Sequence, residues 1–333
     1  MNISTKKRRP LVAVLIRPEL RRAVIAPDAM QRLRRVARVR QVANDDWKNC
    51  LRDADACITS WGSPPLEAEL LAVAPDLQFA AHAAGSVKPI VTKDLWRRRI
   101  RVSSAAAAIA VEVVQYTYAL MILGAKRIWE VNQRVRDGQW GETRGLPREL
   151  CGLSVGIVGA GVVGRGVLEL LKQFPPKRVL LFDPFVSAAQ SKRIGAIKSS
   201  LDTLLRRADI ISLHAPSLPQ TRHLLDARRL RLIRDGAQLI NTARGTLIDE
   251  FALARELETK RFFACLDVTD PEPPARNHPF RKLPNVLLTP HMAGCVADGR
   301  ARMGALAVEE LIRYFSGKRL HHEVRQKDLL RRG

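Results

Sequence analysis

Residues 155–164 read Val155-Gly156-Ile157-Val158-Gly159-Ala160-Gly161-Val162-Val163-Gly164, an apolar run that turns through G-x-G-x-x-G into Val167-Leu168-Glu169-Leu170-Leu171. The run predicts a buried strand, and the leucine-rich stretch beyond it predicts a helix. Between the two, Gly159 permits a tight turn, Gly161 lets backbone approach a pyrophosphate, and Gly164 lets the helix lie close on the strand. The helix start at Val162 and Val163 adds amide donors for the anion.

Asp183 stands 19 residues beyond Gly164, at the end of the next apolar run. A carboxylate there accepts hydrogen bonds from ribose hydroxyls and repels a 2′-phosphate, which selects NAD over NADP. No arginine follows within four residues, although Arg165 and Arg178 lie nearby in sequence.

Around this turn, apparent strands at 155–158, 179–182, 210–214, 238–240, 263–266 and 286–288 alternate with helical stretches such as 201–207 and 250–259. Six strands with crossover helices are what a dinucleotide-binding domain requires. Upstream, apolar runs at 11–16, 56–59, 77–81 and 100–103 form a second α/β series around a parallel sheet. Residues 105–128, long, apolar and free of proline, read as one buried helix joining the two series. At 333 residues the chain suits two domains, and no repeat of solenoid period is visible.

The bulk composition, 46% hydrophobic and 27% charged, is that of a globular protein. Lys6-Lys7-Arg8-Arg9 precedes an apolar run that Arg17 ends before it reaches the length of a signal-peptide core. The longest uncharged stretches, 113–125 and 151–164, fall short of the roughly 18 residues of a membrane span, so a cytoplasmic protein is expected. Five scattered cysteines, Cys50, Cys57, Cys151, Cys265 and Cys295, include no C-x-x-C pair and argue against a disulfide framework or a zinc site. No metal is expected. The net charge of +23 suits a polyanionic partner, but the basic residues are spread in pairs such as Arg21-Arg22 and Arg206-Arg207, which reads as a solvated surface rather than a nucleic-acid arm.

Three further segments place ionisable groups after apparent strands, where open α/β sheets bind ligands. They are Asn241-Thr242-Ala243-Arg244-Gly245 with Asp249, then Asp267-Val268 with Glu272-Pro273, then Thr289-Pro290-His291-Met292-Ala293-Gly294. Alone, Arg244 reads as a strand-end cap, Glu272 as a surface-turn residue and His291 as a core histidine; their joint occurrence favours a site. The order of glycine turn, N-x-x-R-G-x-x-x-D, D-V-x-x-x-E-P and T-P-H-x-A-G resembles the D-isomer-specific 2-hydroxyacid dehydrogenases over most of the chain, from about Ala80 to Gly294.

The resemblance implies a Rossmann-type NAD-binding domain at 105–293 and a flavodoxin-like substrate domain at 1–104 with 294–333. It implies Arg244 as the substrate-binding arginine, Glu272 as the acidic partner and His291 as the general acid/base. Asp267 would meet the nicotinamide amide, while Thr242, Ala243 and Arg244, the turn from His291 to Gly294, and His214, Ala215 and Pro216 would line the cofactor. A homodimer follows from the same resemblance. The chemistry suits these residue types: a guanidinium fork orients a carboxylate and a carbonyl oxygen, an imidazolium supplies a proton as hydride creates alkoxide character, and a carboxylate on the other ring nitrogen fixes the tautomer.

On the substrate side, Ala83-Ala84-Gly85-Ser86-Val87-Lys88-Pro89 occupies the position of the family's carboxylate-binding loop, with Ser86 and Val87 amides as a nest. Lys88 and Pro89 depart from the family pattern, as do Ile109 for asparagine and Gln115 for glutamate on the hinge helix. Ile58-Thr59-Ser60-Trp61-Gly62 lacks the cation that relatives with phosphorylated substrates place there, which favours an unphosphorylated acid. His82 reads as structural or as bordering the substrate, and His321 and His322 as an exposed tail. Two competing readings are an NAD-sensing corepressor or nucleic-acid-associated protein of this fold, and a dehydrogenase of formate or phosphite.

Overall fold

The computed structural model describes residues 8–294 and 297–330. They fall into two compact units, one of residues 8–109 with 297–330 and one of residues 110–294.

The first unit contains β1 (Leu11–Leu15), β2 (Arg38–Gln41), β3 (Ala56–Thr59), β4 (Phe79–His82) and β5 (Arg101–Ser104). The second contains β6 (Ser154–Val158), β7 (Arg178–Phe182), β8 (Ile197–Lys198), β9 (Ile210–Leu213), β10 (Gln238–Asn241), β11 (Phe263–Leu266) and β12 (Val286–Leu288). The chain then returns to the first sheet with β13 (Glu323–Val324).

The second sheet has the order β12-β11-β10-β9-β6-β7-β8 and is parallel throughout. That is the doubly wound Rossmann order, with its switch point between β6 and β9. The first sheet, β13-β5-β4-β3-β1-β2, has the flavodoxin-like order with an antiparallel β13 added beside β5. The α/β class and both domain types are as expected.

Alternation along each strand feeds the two faces of its sheet. Val12 and Val14 enter a core with Val308 and Leu311 of the helix Ala297–Phe315, while Leu11, Ala13 and Leu15 enter another with Leu51 and Leu71. In the second sheet Val155, Ile157, Ile210 and Ile240 face one core, and Val158, Ile211, Leu213 and Leu239 the other. Strands covered on both faces read as continuous apolar runs, which is why they were visible in the sequence.

Several expectations are corrected. The second sheet has seven strands rather than six, because the two-residue edge strand β8 is too short for a pattern. β2 went unseen because its sequence, Arg38-Val39-Arg40-Gln41, is charged, as an edge strand tolerates. His321 is exposed as expected, but the segment is fastened: the amides of His321 and His322 donate to the buried carboxylate of Glu310, directly before β13.

The single buried helix expected at 105–128 is instead Ala106–Ala125, a left-handed residue at Arg127, and a second helix Ile128–Arg136. The first of these, 20 residues with a stretch of 18 at mean hydropathy 1.7, is long and apolar enough to cross a membrane, although Glu112 interrupts its uncharged run. Its Val111, Ile122 and Leu123 are exposed. Other side chains tie it to the second unit: Thr117 Oγ1 meets Thr242 Oγ1 at 2.8 Å and the Tyr116 hydroxyl meets Thr289 Oγ1 at 3.1 Å. Cys50, Cys57, Cys151 and Cys265 are free thiols, and Cys295 lies outside the described residues.

Candidate active site

The glycine turn follows β6 at the switch point of the second sheet. Gly159 has φ +97°, and a Cβ there would sit 2.9 Å from the backbone of His214 and Ala215. A Cβ on Gly164 would sit 2.1 Å from the Gly159 oxygen, so the helix Val162–Leu171 lies directly on the turn. Asp183 closes the arrangement by accepting from the amides of Ala160 and Phe185, each at 2.8 Å.

Gly161 tests whether a dinucleotide fits. Its φ of −70° suits any residue, and a Cβ there would have no neighbour within 4 Å among the described residues. Protein packing therefore does not demand glycine, whereas a phosphate laid against the helix start does. Among the described residues no side chain caps this helix, and Val162 is exposed at its first turn. The residues present fit NAD, with the turn for its pyrophosphate and Asp183 beside it for the ribose.

The ionisable residues gather on the loops after β10, β11 and β12. Asn241 shapes the first of these by donating to the Arg244 carbonyl at 2.9 Å and accepting from the Ala243 amide at 3.1 Å, which explains the N-x-x-R spacing. Gly245 then brings this loop against the next: a Cβ there would stand 2.1 Å from the Thr269 carbonyl carbon. Burial lowers the Arg244 guanidinium from its ordinary pKa, and the nearby Glu272 charge acts in the opposite sense.

His291 Nδ1 lies 2.8 Å from Glu272 Oε2, and Glu272 Oε1 accepts from the Thr269 amide at 3.3 Å. A carboxylate in its ionised form only accepts, so Nδ1 then donates in this pair and Nε2 is the atom left for exchange. The histidine is held at φ +52°, a left-handed conformation uncommon for its type. Asp267 holds it there. Its carbonyl accepts from the His291 amide at 2.7 Å, and its carboxylate accepts from Met292 N, Ala293 N and Thr289 Oγ1 at 2.9, 2.9 and 2.6 Å. The geometry thus engages Asp267 in shaping the turn that runs to the buried Gly294.

His214 Nε2 meets Ser212 Oγ at 2.9 Å, and burial pushes its pKa down to about 4, so it is neutral at physiological pH. Pro216 accepts from the Thr221 hydroxyl.

The loop with Gly85, Ser86 and Val87 belongs to the first unit. The Val87 side chain is buried in its core, and the Ser86 and Val87 amides have no hydrogen-bond partner among the described residues. His82 bonds Thr59 Oγ1 at 2.9 Å and the Ser86 backbone; its pKa is pushed down to about 4, chiefly by burial.

The roles of two neighbours escaped the sequence reading. Asp249, the last residue of the R-G-x-x-x-D spacing, caps the helix Glu250–Glu258 by accepting from Ala252 N. Glu250 is 9% exposed, accepts from Asp270 N at 2.9 Å, and has its pKa raised to about 7 by burial and by the charges of Asp270 and Glu272. An aspartate directly before a helical stretch is a recognisable cap signal, but nothing local distinguishes Glu250 from a solvated first-turn acid.

Comparison with known proteins converges on one family. Residues 118–293 match the family model described as D-isomer specific 2-hydroxyacid dehydrogenase, NAD binding domain. The glyoxylate reductase of Aeropyrum pernix is 34% identical over 275 residues, 80% of this chain and 82% of that protein. The D-3-phosphoglycerate dehydrogenase of Archaeoglobus fulgidus is 30% identical over 260 residues, and the match spans 78% of this chain but only 49% of that protein. The TT0316 protein from Thermus thermophilus has a crystal structure with a TM-score of 0.75 at 30% identity, covering 95% of this chain and 100% of that one. These relatives bear out NAD as the cofactor and an oxidoreductase acting on CH–OH donors; the corepressor reading gains no support from them. The chain belongs to the D-isomer specific 2-hydroxyacid dehydrogenase family.

Proposed function

We propose that this enzyme reduces a small, unphosphorylated 2-oxo acid of the glyoxylate or hydroxypyruvate kind with NADH, using Arg244, Glu272 and His291. The observation that carries this reading is the 2.8 Å His291–Glu272 pair, whose Glu272 lies on the loop that Gly245 brings against the Arg244 loop. Arg244 binds the substrate carboxylate and carbonyl oxygen; a partly desolvated guanidinium does this more strongly than a solvated one. Bound NADH supplies the hydride. His291 Nε2 donates the proton to the carbonyl oxygen as negative charge develops, and Glu272 on Nδ1 stabilises the charged ring and fixes its direction. In the reverse direction neutral His291 accepts the proton. The Ser86 and Val87 amides are donors to the substrate carboxylate in this reading.

The absence of a phosphate partner is supported at residues 58–62. The segment has no cation, Ser60 Oγ is engaged by the Ala83 carbonyl at 2.9 Å, and Trp61 is exposed. Three of the relatives are named glyoxylate reductase. We further infer a homodimer, supported by the exposed apolar Val111, Ile122 and Leu123, and a cytoplasmic protein, supported by its free thiols.

The test is NADH oxidation with glyoxylate, hydroxypyruvate, pyruvate, a longer 2-oxo acid and 3-phosphohydroxypyruvate. Turnover with at least one of the first four, at higher kcat/KM than with the phosphorylated acid, is expected. A preference for the phosphorylated acid would overturn the substrate class, and no turnover with any of the five would overturn the reading itself.

A further inference from the structure

The amino edge of the second sheet, where its strands begin, holds a depression of about 420 Å³ lined by Arg148, Lys177, Arg178, Arg206, Arg207 and Arg234 around a single carboxylate, Asp209. These cations come from four separate parts of the chain, and each part leads into or out of a strand of this sheet. Asp209 fastens the floor: it accepts from the Ser154 amide at 2.8 Å and pairs with Arg148 and Arg234 at 3.4 and 3.1 Å. That leaves Lys177, Arg178, Arg206 and Arg207 exposed, with no acidic partner among the described residues.

Arg206 and Arg207 end the helix Leu201–Arg207, where positive charge complements the helix dipole, so their presence has a local reason. Lys177 and Arg178 have no such reason. Six cations facing one acid in a concave site repel one another unless an anion is present.

We propose that this depression is a binding site for a small anion carrying a chain of phosphates. The volume falls in the range of small-ligand pockets, and the cations converge on a hollow rather than follow a stripe. Among the described residues its lining has no aromatic side chain on which a base of single-stranded nucleic acid would stack. The cofactor's pyrophosphate is not the occupant: β6 runs from Ser154 at the depression to the glycine turn, and its rise of roughly 3.3 Å per residue separates the two by about 16 Å. The inference does not depend on which 2-oxo acid the enzyme reduces.

The test uses the full-length protein saturated with NAD, so that the cofactor site is closed to other phosphates. Tripolyphosphate and ATP are titrated by calorimetry and by thermal shift, with sodium sulfate at matched ionic strength and a short DNA duplex as further arms. Saturable binding of tripolyphosphate or ATP is expected, with a rise in Tm of a few degrees that sulfate does not reproduce. The tighter of the two identifies the source, nucleotide or inorganic phosphate chain.

Replacing Lys177, Arg178, Arg206 and Arg207 together by alanine leaves the Asp209 anchor intact. The change is expected to weaken binding at least tenfold while the NADH affinity holds and the ligand-free Tm does not fall. Sulfate matching tripolyphosphate and ATP would mean screening only and would overturn the proposal, as would undiminished binding by the variant. Tighter, steeply salt-dependent binding of the duplex, lost in the variant, would overturn it in favour of a nucleic-acid surface.

Discussion

At the carboxyl edge of the second sheet, Asp183, Asp249, Glu250 and Asp267 each accept hydrogen bonds from backbone amides and shape the glycine turn and the segments that follow β10, β11 and β12. At the amino edge of the same sheet, one acid, Asp209, is surrounded by six cations, four of them without an acidic partner among the described residues. The difference teaches what the net charge of +23 does and does not describe. Acidic side chains build the redox site, and a concentrated part of the positive excess lies at the opposite edge. The parallel strands make that division sharp, because every strand of this sheet runs from the basic edge to the catalytic one.

The largest expected effect separates the two edges by kinetics. His291→Asn should lower kcat by roughly a thousandfold, the scale of losing a general acid, with little change in NADH affinity. The fourfold alanine variant at the amino edge should keep kcat within about twofold in the same steady-state assay, since exposed charges a full strand length away are screened. Comparable losses in both proteins would break the division.

A smaller effect divides the glycine turn itself into a ligand-facing and a protein-facing part. Gly161→Val places its side chain where the described residues leave open space, so the NADH dissociation constant should rise by at least about tenfold while Tm holds. Gly164→Ala meets the Gly159 oxygen, so Tm should fall by on the order of 5 °C. Calorimetric titration and thermal melts read both. A Tm loss at Gly161 matching that at Gly164 would mean that both glycines serve packing alone.

The carboxyl edge was legible in the sequence because its motifs are local. The G-x-G-x-x-G turn, the Asn241–Arg244 loop and the His291–Gly294 turn each fold within a few residues, and the buried strands beside them read as apolar runs. What joins them is not local. The contact of Gly245 with Thr269 spans 24 residues, and Asp267, expected to meet the nicotinamide amide, also shapes the turn that holds His291. The amino edge was illegible for the same reason: Lys177-Arg178 and Arg206-Arg207 look like two more dispersed pairs until the strand order brings them to one hollow. The edge strands β2 and β8 escaped because one is charged and the other only two residues long.

The smallest expected effect concerns Glu250, a carboxyl-edge acid with other acids for neighbours. Glu250 is buried near Asp270 and Glu272, and its pKa is raised from 4.5 to about 7. The folded chain therefore holds this proton across that window while the unfolded chain releases it, so stability falls as pH rises from about 4.5 to about 7 and levels off above. His278, whose Nε2 lies 3.5 Å from Glu250 Oε2, has its pKa lowered by burial and by Arg281, so its contribution runs the other way below its ordinary value. Glu250→Gln leaves His278 in place and keeps an oxygen for the Asp270 amide while removing the titration. Relative to the parent, the variant should gain a few degrees of Tm at pH 8 and almost nothing at pH 4.5. An equal gain at both pH values would trace the effect to packing and remove Glu250 from the electrostatics of this edge.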